Sequence, residues 1–217
     1  MGTTVIIEEK AFMGILLPTA EAFPSRFYGE RKPKGATAEG EVHGLLFGQK
    51  IQRNEVDVVF NVTLAVPNQI VLERKHDEIS VATKHIDRIR EVAELFPAYS
   101  LLGFFHSHPY SATEFNKNNS AEPSETDMDN AINVSKREGK ELLDLIFSIT
   151  RLQRRSWTMP QFPKPHMIHA CCGVYKYTLA GFSAVPSEHD APYEAVDNLI
   201  CTMAAGLQHI DFKSDRR

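Results

Sequence analysis

The sequence predicts an α/β (α+β) protein built on a single mixed β-sheet flanked by helices. Three observations carry that expectation. Strand-like segments, the β-branched-rich 56–66 and the apolar 142–149, alternate with segments of helical spacing such as 80–96, rather than clustering at one end of the chain. The 217 residues are 42% hydrophobic and 24% charged, ordinary values for a globular protein. A chain of that length buries roughly 70% of its unfolded surface in one large core and needs no disulfide staples.

The elements follow in order. Residues 24–40 are polar and turn-rich, with Arg31-Lys32-Pro33-Lys34-Gly35, and read as a loop. Val42–Ile51 is an apolar strand containing Gly44 and Gly48, and Val56–Val66 is a second strand that ends at Pro67-Asn68. In Ser80–Phe96, the residues Ala82, Ile86, Ile89, Ala93 and Phe96 recur every three or four positions, which predicts a helix stopping at Pro97. Tyr99–Phe105 is a short strand running directly into His106, and Tyr110–Pro123 reads as a long polar loop. Ser124–Arg137 predicts a helix closed by Gly139. Leu142–Ile149 is a strong strand, and Met167–Val185 supplies one or two more. Pro192–Leu207 predicts a C-terminal helix, with Val196, Leu199, Ile200, Met203 and Leu207 on one face. Residues 213–217 are expected to fray.

Charge and cysteine usage narrow the function classes. Lys and Arg total 24 against 28 Asp and Glu, a formal charge of −4, so a nucleic-acid-binding surface is not expected to be the main activity. Cys171, Cys172 and Cys201 are an odd count with two adjacent, a poor disulfide framework that suits a reducing, cytoplasmic compartment. Residues 1–10 lack a basic n-region, and Ala11–Leu17 is far too short to span a membrane. Ile6 stands where a myristoylation signal after Gly2 needs Ser or Thr. No membrane partner is expected.

Three short stretches carry possible chemistry. In Phe104-Phe105-His106-Ser107-His108-Pro109, residues two apart on a strand face the same way, so His106 and His108 present two imidazoles to one point, a workable pair of zinc ligands. Alone, the pair is a weak signal and reads more readily as two surface or core histidines. Ser124-Glu125-Thr126-Asp127 reads as a capping box, with Ser124 as N-cap. The same geometry puts Asp127 in the first helical turn, where its carboxylate could be a third ligand and Ser124 could face a substrate. Glu41 precedes an apolar strand, as either an exposed strand-end carboxylate or a general base.

Together these pieces resemble the JAMM (MPN-plus, or JAB-domain) zinc metallopeptidases, and the prokaryotic deubiquitinase-like isopeptidases among them. The resemblance rests on Glu41 with Gly44, Leu45 or Leu46, and Gly48; on His106, His108 and Pro109 preceded by Leu101-Leu102-Gly103-Phe104-Phe105; and on Ser124 and Asp127. It covers residues 41–150 and implies an MPN/JAB-like (cytidine-deaminase-like) fold, with a metallopeptidase domain over 1–190 and the C-terminal helix and tail, 191–217, packed on or extending it. It implies one catalytic Zn²⁺ held by His106, His108 and Asp127, Glu41 as general base and Ser124 as oxyanion donor. The implied reaction is cleavage of a peptide or isopeptide bond after the C-terminus of ubiquitin or a ubiquitin-like protein, with E1-like and E2-like proteins as possible pathway partners. The fifteen residues 109–123 exceed the family's usual spacing and read as a loop insertion beside the site. An added strand formed by a Gly-Gly tail would be expected to lie between that loop and the strand of Glu41. Asp129 is the second choice for the third ligand, since no serine stands three residues before it.

Two other function classes stay open on the sequence: a zinc hydrolase of a small-molecule amide, and a silent scaffold on the same fold. The remaining features favour plain readings. His166, His169, Cys171 and Cys172 are expected to be packed residues rather than a second zinc site. Arg151, Arg154 and Arg155 suit a solvated hairpin turn, Trp157 suits core or edge packing, and His43 suits a packed strand histidine.

Overall fold

A computed structural model of the protein describes residues 2–28, 39–54, 57–74, 79–81, 83–117, 121–156, 158–186 and 193–201. Strand β1 (Gly2–Ile7) leads into helix α1 (Glu9–Glu21) and a 3-10 turn at Ser25–Tyr28. Then come β2 (His43–Gln52), β3 (Asp57–Pro67), β4 (Val71–Arg74), β5 (Ile79–Val81), α2 (Thr83–Ala93) and β6 (Ser100–Pro109). Short α3 (Ala112–Lys117) and longer α4 (Glu125–Glu138) follow. The chain continues through β7 (Leu142–Arg151), β8 (Gln161–Lys164), β9 (Met167–Cys172), β10 (Tyr175–Ala184), β11 (Tyr193–Ala195) and β12 (Asn198–Cys201). The class is therefore mixed α/β, with one ten-stranded sheet in the order β12-β1-β3-β2-β6-β7-β10-β9-β8, β11 on β10, and a separate β4–β5 pair. Parallel contacts join β12 to β1, β1 to β3 and β6 to β7, and the other neighbours in the large sheet are antiparallel.

The sheet curls until its ends meet. The segment from β11 to β12 leaves β10, with Val196 N donating to Gly181 O (3.1 Å), and crosses to β1, with Asp197 N donating to Thr3 O (2.9 Å). On its far side Leu199 N donates to Pro165 O (2.9 Å), in the turn between β8 and β9. Helix α1 fills the enclosed face. Ala11, Phe12, Ile15, Leu16 and Thr19 are buried, and Phe12 packs on Phe147 and Tyr177. Gly14 is required by this close fit, since a Cβ there would lie 2.4 Å from Ala65 O on β3.

The opposite face carries two smaller apolar clusters. One packs Ile86, Ile89 and Ala93 of α2 over Leu45, Phe47 and Leu101. The other joins Ala121, Ile146, Met167, Ala180 and Phe182, with Tyr193 against it. Strand β7 is buried on both sides because it is sandwiched between these layers.

Four sequence expectations change here. The C-terminal helix is wrong over the described residues 193–201, which hold β11 and β12; the rest of that expectation, residues 192 and 202–207, and the tail to 217 lie outside the described residues. Val196, Leu199 and Ile200 fit helical spacing, but Leu199 and Cys201 fit a period of two. Leu199 and Cys201 are buried while Asn198 and Ile200 face out, and the open edge of β1 decides between the two. The 110–123 loop contains α3, whose start is capped by Ser111 and Glu114: Ser111 N donates to Glu114 Oε2 at 2.9 Å. Helix α2 begins at Thr83, because Ile79–Val81 belong to β5. Strand β6 extends through both histidines to Pro109 instead of ending before them. Most of the early loop (29–38), residues 118–120 of the insertion, and Trp157 lie outside the described residues. Among the described residues no helix is long and apolar enough to cross a membrane.

Candidate metal centre

Strand alternation places the first two groups. On β6, Phe105 and Ser107 face α1, while His106 and His108 point to the other face, between its two apolar clusters. Their rings lie 4.9 Å apart. Helix α4 then delivers Asp127. Ser124 is its N-cap, with Asp127 N donating to Ser124 Oγ (3.2 Å) and Ser124 N donating to Asp127 Oδ2 (2.9 Å). Gly139 closes the helix in the left-handed conformation at φ 65°. Ser135 fastens the far end, its one hydroxyl proton shared between Lys140 O (2.8 Å) and Ala184 O (2.9 Å). A helix fixed at both ends holds its first-turn carboxylate in place.

Asp127 Oδ1 is 3.6 Å from His106 Nε2, and Oδ2 is 3.9 Å from His108 Nε2. Ligand atoms of His106, His108 and Asp127 all fall within 4.8 Å of one another, so this group could hold a metal ion. The donor set fits one. His106 Nε2 is buried without a hydrogen-bond partner, a state that costs free energy unless a cation takes its lone pair. Two imidazoles and a carboxylate also leave a coordination position open, as catalytic sites do. Asp129, the alternative ligand, is exposed and outside the group.

Glu41 is the fourth sequence-predicted residue brought here. It precedes β2, is 7% exposed, and its Oε1 lies 3.7 Å from His108 Nε2. The backbone of its neighbour Val42 is anchored at both polar groups: Val42 N donates to Ser107 Oγ (2.9 Å) and Val42 O accepts from Ser107 N (2.8 Å). Gly44 keeps β2 close to its neighbours, because a Cβ there would lie 2.2 Å from the Phe105 ring. Ser124 reaches the site but its hydroxyl is engaged, donating to Asp127 Oδ2 at 2.7 Å. His43 faces the same side, its ring tilted against Phe104, with Nδ1 2.7 Å from Asn68 Nδ2. The expected added strand beside β2 is not available, since β2 is paired on both edges, by β3 and β6.

Two residues at this site have no counterpart in the motifs. Asp144 on β7 is 5% exposed, with Oδ1 3.2 Å from His106 Nδ1, and Tyr193 OH donates to Asp144 Oδ2 at 2.7 Å. Asp144 could have been suspected as a lone charge inside the apolar run Leu142-Leu143-Asp144-Leu145-Ile146-Phe147. Tyr193 carried no local signal. No second metal group forms from His166, His169, Cys171 and Cys172 among the described residues. Cys171, Cys172 and Cys201 form no disulfide, and His169 Nδ1 is 3.0 Å from Thr178 Oγ1.

The electrostatics of the metal-free site are uneven. Burial alone would depress the His106 pKa, but Asp144 and Asp127 outweigh it and hold the imidazole well above its ordinary value. Burial, and then the charge on His106, push His108 down to about 4, and His43 is lowered to about 4 by the same two causes. Burial opposes ionisation of Asp127, yet His106 and Ser124 prevail and hold it well below the usual carboxylate range. The sign of the pH dependence follows. His43 and His108, with depressed values, contribute stability that is present above about 6.5 and lost as pH falls toward about 4. His106, with a raised value, contributes stability that is full below about 6.5 and lost as pH rises through its folded value. Chelator-treated protein is therefore expected to be most resistant to urea near pH 6.5. A midpoint that still climbs at pH 8.5 would contradict these assignments.

No protein-family model matches the chain, and none of the curated proteins matches it in sequence.

Proposed function

We propose that the protein is a zinc-dependent isopeptidase or peptidase of the JAMM (MPN-plus) type, acting after the C-terminus of a ubiquitin-like protein. The observation that carries this reading is the convergence of Glu41, His106, His108 and Asp127. Three separate stretches of chain supply them to one largely buried point, in the order of the family motifs the sequence resembles. The curled mixed sheet, with α1 on one face and α2 and α4 on the other, supports an MPN/JAB-like fold.

Zinc held by His106, His108 and Asp127 would supply a Lewis acid that brings the pKa of a bound water toward ~7. The chain's own residues do the rest. Glu41 accepts the proton of the attacking water and returns it to the leaving amine, which a buried carboxylate beside the ligands is placed to do. Ser124 donates a hydrogen bond to the oxyanion of the tetrahedral adduct. For that, its hydroxyl proton turns away from Asp127 Oδ2, while its oxygen still accepts from Asp127 N and the helix cap survives. Aspartate oxygens oriented by the cap keep the ligand in place through the cycle.

The test uses chelator-stripped and zinc-reloaded protein on a ubiquitin-like protein fused at its C-terminus to a reporter, with an amino-acid amide in parallel. Cleavage of the fusion by reloaded protein only is the expected result. Cleavage of the amide alone would point to a small-molecule hydrolase, and metal-free protein with no chelator effect would overturn the reading.

A further inference from the structure

Beyond the motif residues, we infer that Asp144 and Tyr193 are positioning residues of the metal centre, and that β11 belongs to the site's working parts. The inference rests on the proposed metal site and deepens it. An imidazole can bind a metal through one nitrogen only if the other carries its proton, and a carboxylate acceptor fixes that choice. Asp144 Oδ1 lies 3.2 Å from His106 Nδ1, placed to hold the N–H there when a metal displaces the proton from Nε2 and takes its lone pair. That Nε2 is the buried atom without a hydrogen-bond partner, facing Asp127 Oδ1 at 3.6 Å.

Asp144 is itself held from the other side. Strand β7 runs parallel to β6, with Asp144 opposite Phe104, two residues before His106 and on the same face. Its second oxygen accepts from Tyr193 OH at 2.7 Å. Tyr193 opens β11, where its ring stacks on Phe182 (5.3 Å between centroids, 17° between planes), and β11 pairs with β10. The chain from Tyr193 through Asp144 to His106 therefore ties the closing segment 193–201 to a metal ligand. An aspartate kept only for folding would be replaceable by an apolar residue of similar size.

Zinc affinity, measured by competition with a chromophoric chelator, separates a positioning role from a packing role. Asp144→Asn is expected to weaken zinc binding roughly 10–100-fold. Tyr193→Phe, which keeps the Phe182 stack and loses only the hydroxyl, is expected to weaken it several-fold. The double variant should be no weaker than Asp144→Asn alone, because Tyr193 acts through Asp144. Melting of the metal-free proteins is recorded beside it, and Tyr193→Phe serves if Asp144→Asn fails to fold. Wild-type zinc affinity in both variants, or in Tyr193→Phe alone if only that variant folds, would overturn the inference and leave the proposed function standing. Wild-type protein that binds no zinc would overturn both.

Discussion

Glu41→Gln is expected to keep its zinc and lose turnover by roughly 10²–10⁴-fold. The amide has the size of the carboxylate, so the site's packing is preserved where Glu41 is 7% exposed. Its Oε1 is 3.7 Å from His108 Nε2, close to the ligands but outside the group of three whose atoms converge. An amide can occupy that place and even accept a hydrogen bond there, but it cannot take a proton from water at neutral pH. The loss should therefore fall on kcat, with zinc content measured on the same preparation unchanged. Full activity in this variant would remove Glu41 from the mechanism, and loss of zinc would make it a ligand.

Asp127→Ala is the second large effect, and it acts on the metal itself. Two imidazoles alone leave a zinc ion short of its usual three protein ligands, so the variant should purify without zinc. It also breaks the capping box, since Asp127 Oδ2 accepts from Ser124 N at 2.9 Å, which costs about 1 kcal/mol of stability. Asp129→Ala is the matched control: Asp129 is exposed on the same helix and should change neither property. Elemental analysis of the two variants, with thermal melts, checks the assignment. Zinc retained in Asp127→Ala and lost in Asp129→Ala would move the ligand by two residues.

The parts of this site written in short-range patterns were legible from sequence. His106 and His108 share a face because a strand repeats every two residues, and Asp127 was placed by the capping spacing from Ser124. The helix over 124–137 and the strands around 42–51, 56–66 and 142–149 were legible for the same reason, within a residue or two at each end. What escaped depends on contacts far apart in sequence. Tyr193 meets Asp144 across 49 residues, and β12 becomes a strand because β1 offers a free parallel edge. β1, although β-branched through Thr3-Thr4-Val5-Ile6-Ile7, is not among the elements the sequence predicts, and neither is α1. It has little polar face, because α1 is enclosed by the sheet and buries Ala11, Phe12, Ile15 and Leu16. Helix α3 was missed in a run of polar residues, although Ser111 and Glu114 carry the same capping spacing that revealed α4.

In the proposed function, one metal at His106, His108 and Asp127 drives cleavage after a ubiquitin-like C-terminus. The most direct measurement titrates zinc into chelator-stripped protein while cleavage of a ubiquitin-like fusion is followed. Activity should be absent without metal, rise linearly and reach its plateau at one equivalent of zinc per chain. Stripped protein as active as untreated protein, or no cleavage at any zinc ratio, would contradict it.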